Sequence, residues 1–127
     1  MSQSKPHVLF LSASSAVFDT IPEECYTLFS FHLLRITPEH EVPEKLTDKD
    51  LIIIDTYSLG VDFLDRIAIA LQNIKRPILI IDDFNDDIII QQLYNKGAKG
   101  YLKIDEYSTG LKQKMQNLIS IQHTFVK

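Results

Sequence analysis

Leu51-Ile52-Ile53-Ile54 is an uninterrupted aliphatic run that ends on a carboxylate, Asp55. A strand with one wet face alternates apolar and polar residues, whereas a run without alternation, rich in β-branched Ile, is a strand buried on both faces. Such a strand sits mid-sheet, with helices covering both sides. A short polar stretch then leads to Gly60, which puts Asp55 at the carboxyl end of a central parallel strand. In open α/β sheets that edge is where ligands and chemistry collect.

The same pattern recurs along the chain. Pro77-Ile78-Leu79-Ile80-Ile81 is a second continuous run, closed by Asp82-Asp83, and His7 to Leu11 is a third, closed by Ser12-Ala13-Ser14-Ser15. Residues 29 to 36 alternate loosely and are β-prone, and Gly100 to Ile104 reads as a short last strand. Between these lie helical signals. A serine after the first strand is a candidate N-cap for a helix with Val17, Phe18 and Ile21 on its apolar face, although Pro22 interrupts it. Pro38 and Pro43 bracket the acidic stretch Glu39 to Glu44, which leaves room for at most a short or broken helix. Val61, Leu64, Ile67, Ala68, Leu71 and Ile74 have the spacing of one buried stripe, in a helix that Pro77 ends. Asp86 opens a further helix through Leu93 and Tyr94, stopped at Gly97. The last helix runs from Glu106 to about Gln122, with Leu111, Met115, Leu118 and Ile119 on one face and Lys112 and Lys114 on the other. Strands alternating with helices throughout predict a doubly wound parallel sheet with right-handed crossovers. Five strands in the order 2-1-3-4-5 close it.

With 127 residues, 45% of them hydrophobic and 24% charged, the chain fits a single domain with a real core. A net charge of −4 provides no global basic field for nucleic acid or an anionic membrane. One cysteine, Cys25, excludes an internal disulfide and a cysteine-based zinc site; a structural thiol in a reducing, cytoplasmic setting is the expectation. The apolar run Val8 to Leu11 is too short for a signal peptide or a spanning helix. His7, His32, His40 and His123 show no metal-ligand spacing, and no nucleophile and base can be placed together, so an enzyme is not expected.

Two stretches resemble a known family at matching distances. Asp50 to Asp55, followed by Gly60, Asp62 and Leu64, resembles the phosphoacceptor strand and loop of bacterial response-regulator receiver domains. Pro77 to Ile81, followed by Lys96-Gly97-Ala98-Lys99-Gly100-Tyr101-Leu102, is similar to the fourth strand and the Ala-Gly-Ala-x-Gly-Tyr-Leu segment of that family. The resemblance covers nearly the whole chain and implies a flavodoxin-like (CheY-like) three-layer α/β sandwich with a five-stranded parallel sheet and five helices. The Gly-Tyr-Leu form is most like regulators of the LuxR/NarL type. That likeness implies a receiver-like domain over residues 1–122, with His123 to Lys127 as the start of a linker to a helix-turn-helix domain; a free-standing receiver is the alternative. DNA would then be reached only through a domain that this sequence does not contain. The partners implied are proteins: a second copy of the chain in a homodimer, and a sensor kinase. No membrane is involved.

The same resemblance assigns chemistry to positions. Asp55 matches the aspartate that accepts a phosphoryl group. In the family an acidic pair after the first strand holds Mg²⁺, because a carboxylate accepts a charged phosphoryl group only when a cation screens the repulsion. Here that pair is Ser12-Ala13, which supplies no charge, although hard cations need several oxygen ligands, usually anionic. The hydroxyl position after Ile81 is Asp82, and the lysine position after Tyr101-Leu102 falls on Ile104, with Lys103 one residue early. A one-residue shift turns a strand side chain to the other face unless a bulge restores it. Two roles stay open for Asp55: a phosphoacceptor, with Asp55, Asp82 and Asp83 rebuilding a Mg²⁺ site, or a strand-end carboxylate that caps backbone amides or pairs with Lys103. The favoured expectation is a degenerate pocket with no cofactor, in a protein-interaction module for bacterial signalling and transcription. Tyr101 matches the aromatic that changes rotamer on activation, or else covers the core at the strand edge. The loop Ser12 to Ser15 either caps a helix or cradles a phosphate, as in flavodoxin-type ligand binders; the absence of glycine in the loop and of tryptophan in the chain favours capping.

Overall fold

Val8 to Leu11, Leu51 to Ile54 and Ile78 to Ile81 are buried along their whole length, as strands without polar alternation must be. The computed structural model describes residues 5–36, 49–60, 62, 63, 65, 76–83, 86–95 and 97–125. Its strands are β1 (His7–Ser12), β2 (Ser30–Arg35), β3 (Leu51–Asp55), β4 (Ile78–Asp82) and β5 (Gly100–Lys103). They form one five-stranded sheet in the order β2-β1-β3-β4-β5, every neighbouring pair parallel. Among the described residues the helices are α1 (Glu23–Leu28), α2 (Thr56–Leu59), α3 (Asp87–Asn95) and α4 (Tyr107–Phe125), Asp62, Phe63 and Asp65 are also helical, and 3₁₀ turns lie at Phe18–Thr20 and Ile104–Glu106.

Alternate residues of each central strand enter different cores. Val8, Phe10, Leu51, Ile53, Leu79, Ile81 and Leu102 pack with Cys25 of α1 and with Leu111, Met115, Leu118 and Ile119 of α4. Leu9, Leu11, Ile52, Ile54, Ile78 and Ile80 pack on the other side with Leu59, Phe63, Leu93 and Ala98. The result is the expected three-layer sandwich, and the stripe expected on the last helix is the one buried.

Several elements depart from the sequence expectation. The helix expected after β1, with a serine N-cap, is replaced by a loop and a 3₁₀ turn, and α1 begins only at Glu23. Pro22 is the reason: at φ −59, ψ 141 it is an N-cap without an N–H to donate, a residue that starts a helix and cannot continue one. The four-residue α2, where a polar loop was expected, is ended by Gly60 at φ 89. Phe63, fully buried in the second core, was absent from the predicted stripe. The rest of that stripe, from Val61 through Ile74 apart from this segment's Asp62, Phe63 and Asp65, lies outside the described residues, as does Glu39 to Glu44. Gly97 follows α3 at φ 116, in accord with the expected stop. β5 ends at Lys103 rather than Ile104, and α4 continues to Phe125, past the Gln122 boundary. Among the described residues no helix is long and apolar enough to cross a membrane.

Ile53 has no exposed surface and packs in the first core. Ile53→Ala is expected to lower unfolding free energy by about 2–5 kcal/mol, a large share of the ~5–15 kcal/mol of a typical domain; chemical denaturation measures it. Burial pushes the Cys25 thiol up, Glu24 adds to the rise and Lys112 opposes it. The fold therefore disfavours the thiolate. Its contribution is fully present below the ordinary thiol pKa and is lost as pH rises toward the folded-state value, because the unfolded chain ionises first. The thermal midpoint of the wild type is expected to fall more steeply at alkaline pH than that of Cys25→Ala, measured over the same range.

Candidate functional site

Asp55 closes β3 and is the N-cap of α2, at φ −87, ψ 83. The chain turns there from strand to helix, and the carboxylate is 0% exposed. Burying a charge is costly unless hydrogen bonds replace its water. Both oxygens have them: Oδ1 accepts the Ser58 amide at 3.2 Å, and Oδ2 lies 2.8 Å from the Ser12 hydroxyl, whose one proton it shares with the Ser14 carbonyl at 2.5 Å. Ser58 Oγ donates to the Asp55 main-chain carbonyl at 3.2 Å and accepts the Ala13 amide at 3.1 Å. It also stands 3.0 Å from Ser12 Oγ. Ser12, Asp55 and Ser58 thus staple the loop after β1 to the loop after β3.

The loop Ser12 to Ser15 turns its polar groups inward. The Ser14 amide donates to Ser12 Oγ at 3.2 Å and the Ala16 amide to Ser14 Oγ at 3.1 Å. Together with the Ala13 amide on Ser58, these donors serve internal partners and do not form a phosphate cradle. The capping role expected for the serines is likewise relocated, to a turn and to Asp55.

Asp82 makes a separate pair. Its Oδ2 accepts the Thr56 hydroxyl at 2.6 Å, its Oδ1 accepts the Asp83 amide at 2.8 Å, and it is 7% exposed. Strand alternation puts Asp82 on the face of Ile78 and Ile80, whereas Asp55 continues the face of Leu51 and Ile53. Asp83 is exposed. Asp55, Asp82 and Asp83 therefore do not converge, and among the described residues no group of three or more His, Cys, Asp or Glu side chains is arranged to hold a metal ion. Ser12 and Ala13, which the resemblance sets in the acidic-pair positions, supply no carboxylate.

β5 pairs with β4 residue for residue, Asp82 opposite Lys103, without a bulge. Lys103 shares the face of Tyr101, opposite to that of Asp55, and its Nζ lies 3.7 Å from Asp105 Oδ2. Of the two capping alternatives for Asp55, amide capping is formed, by the Ser58 amide. Ile104, in the lysine position, packs against the first core, and half-buried Tyr101 packs against the second. Thr56 and Ser58 were missed as site residues. Part of the signal was present: Asp is a favoured N-cap residue, and an N-cap side chain takes the backbone amide two or three residues on, which is that of Ser58.

No family model matches the chain, and no curated protein does. Solved structures do match. The signal receiver domain of a LuxO repressor protein from Vibrio parahaemolyticus superposes with TM-score 0.70 at 18% identity, covering 95% of each chain. The fold is that of response-regulator receiver domains. The chemotaxis response regulator CheY4 of Vibrio cholerae matches at TM-score 0.67 and 16% identity, over 91% of this chain and 99% of its own. A pilus assembly-related protein from Burkholderia pseudomallei matches at TM-score 0.75 and 12% identity, over 91% and 90%. At these identities it is the receiver fold that is shared.

Ser12→Ala leaves a buried carboxylate oxygen without its hydroxyl donor and is expected to destabilise the domain by about 1–3 kcal/mol. Because Ser12 and Ser58 serve the same group, the double alanine variant is expected to lose less than the sum of the single losses. A double-mutant cycle in denaturant checks both statements.

Proposed function

We propose that this chain is a receiver-like regulatory module in signal transduction, whose Asp55 is a structural cap and which acts through protein partners, a second copy of itself among them, without phosphorylation. The observation that carries this reading is the state of Asp55: buried, with Oδ1 held by the Ser58 amide and Oδ2 by the Ser12 hydroxyl. Phosphorylation would have to break these bonds and bring a dianionic phosphoryl group to a carboxylate without the screening cation that such transfer needs. Three further departures support it. Ser12-Ala13 stands for the acidic pair, Asp82 for the phosphate-binding hydroxyl, and Ile104 for the lysine. Neither a metal nor another cofactor is required on this reading, and the module performs no catalysis of its own.

A role in regulating transcription or another cellular output fits the neighbours, which include a LuxO repressor protein and a chemotaxis response regulator. DNA contact, on this reading, belongs to a separate domain of the LuxR/NarL type, and the working compartment is the cytoplasm. Self-association is assigned to the surface of α3, β5 and α4, where Tyr94 is exposed on α3. Sedimentation over a range of concentrations checks it; a strictly monomeric chain at high concentration removes the dimer.

The rival reading is a conventional phosphorelay receiver, favoured by the position of Asp55 at the carboxyl end of β3 and requiring a sensor kinase. Mg²⁺ and beryllofluoride titration, followed by amide shifts at Asp55 and Tyr101, separates the two. No saturable change at millimolar Mg²⁺ is expected. Saturable shifts lost in Asp55→Asn would restore the phosphorylation switch.

A further inference from the structure

Two large apolar side chains stand out among the described residues: Ile88 is 70% exposed and Tyr57 is 62% exposed. Both lie at the carboxyl edge of the sheet, after neighbouring strands. Tyr57 is in α2, which follows β3, and Ile88 is in the first turn of α3, which follows β4. The Thr56 hydroxyl on Asp82 ties these two connections together at 2.6 Å, so Tyr57 and Asp83 flank one fixed point. Neither apolar side chain is used by the cores or by the Asp55 cap. Where these two connections leave the carboxyl edge, the exposed charged side chains among the described residues are carboxylates: Asp62, Asp83, Asp86 and Asp87.

From this pairing of exposed apolar groups with an acidic rim we infer that the edge formed by Tyr57 and Ile88 is a docking surface for a basic protein segment, one or two large apolar side chains flanked by Lys or Arg. The inference rests on the reading of the chain as an interaction module and names the chemistry of one partner. Charge decides between occupants. A second copy meeting this edge with its own would bring the same carboxylates to face one another, and like charges across an interface oppose pairing. Self-association is therefore left to the Tyr94 end of α3 with β5 and α4. Nucleic acid is repelled for the same reason, since its affinity is dominated by basic contacts to phosphate. A basic segment gains on both counts, burying Tyr57 and Ile88 while its cations meet the rim.

The test uses the full chain and three synthetic helical peptides. The first has Leu and Phe on one face flanked by Lys; the second has Glu for Lys; the third has Ser for Leu and Phe. Saturable amide shifts centred on Tyr57, Asp83 and Ile88 are expected with the first alone. The paired substitution Tyr57→Ser and Ile88→Ser, at exposed positions that leave the fold intact by its amide spectrum, is expected to weaken binding by about tenfold or more. Asp83→Asn with Asp87→Asn is expected to flatten the salt dependence. Equal binding of the first and third peptides, shifts spread over every surface carboxylate, unchanged affinity in the Tyr57/Ile88 variant, or no saturable binding each overturns the proposal. Failure here is distinct from failure of the phosphorylation-independent reading: a beryllofluoride response at Asp55 sinks that reading and leaves the peptide result standing.

Discussion

The structure depends on the desolvation of three strands. β1, β3 and β4 lie side by side in the sheet order, and the aliphatic residues Val8 to Leu11, Leu51 to Ile54 and Ile78 to Ile81 reach neither face of solvent. Burial of each such side chain is worth about 1.5–3 kcal/mol, but only if both faces of the sheet are covered. Coverage on both sides requires helices between parallel strands, so the strands dictate the layers. The site follows from the same constraint. Where an apolar strand ends, its last residue is still surrounded by protein, and a polar group there must find its partners within the fold.

At the ends of β3 and β4 that requirement is met twice, by different means on opposite faces. Asp55 is satisfied by a serine from β1 and an amide from its own helix, Asp82 by a threonine from the neighbouring connection and an amide from its own successor. Hydroxyls and amides take the positions where a cation would be needed if the carboxylates were clustered. Separation of Asp55 from Asp82 by strand alternation removes the need for one. The edge that remains open to solvent is distinguished by what the core does not use: two exposed apolar side chains and a rim of carboxylates.

Most of the architecture was legible in the chain. Uninterrupted aliphatic runs specify buried parallel strands, and the spacing Leu111, Met115, Leu118, Ile119 specifies which face of α4 is inside, because both patterns are imposed by periodicity alone. The positions of Asp55, Asp82 and Lys103 relative to the strand ends followed by counting. Less legible were features that depend on one residue's backbone or on contacts between distant segments. Pro22 defers α1 to Glu23, Phe63 enters the second core outside the expected stripe, and Ser58 serves a residue of β1 as well as its own strand.

By itself the sequence determined the sheet, its order, its two cores and the presence of a carboxylate at the end of the central strand, since each is written in local pattern and composition. Only the tertiary structure decided what that carboxylate does. Ser12 and Asp55 are 43 residues apart and meet through the parallel pairing of β1 with β3. Asp82 and Asp55, which read as one acidic cluster along the chain, are held on opposite faces by the alternation of their strands. A hydrogen bond between distant segments leaves no periodic trace in a sequence, because its strength depends on a distance and an angle that the sheet must first establish.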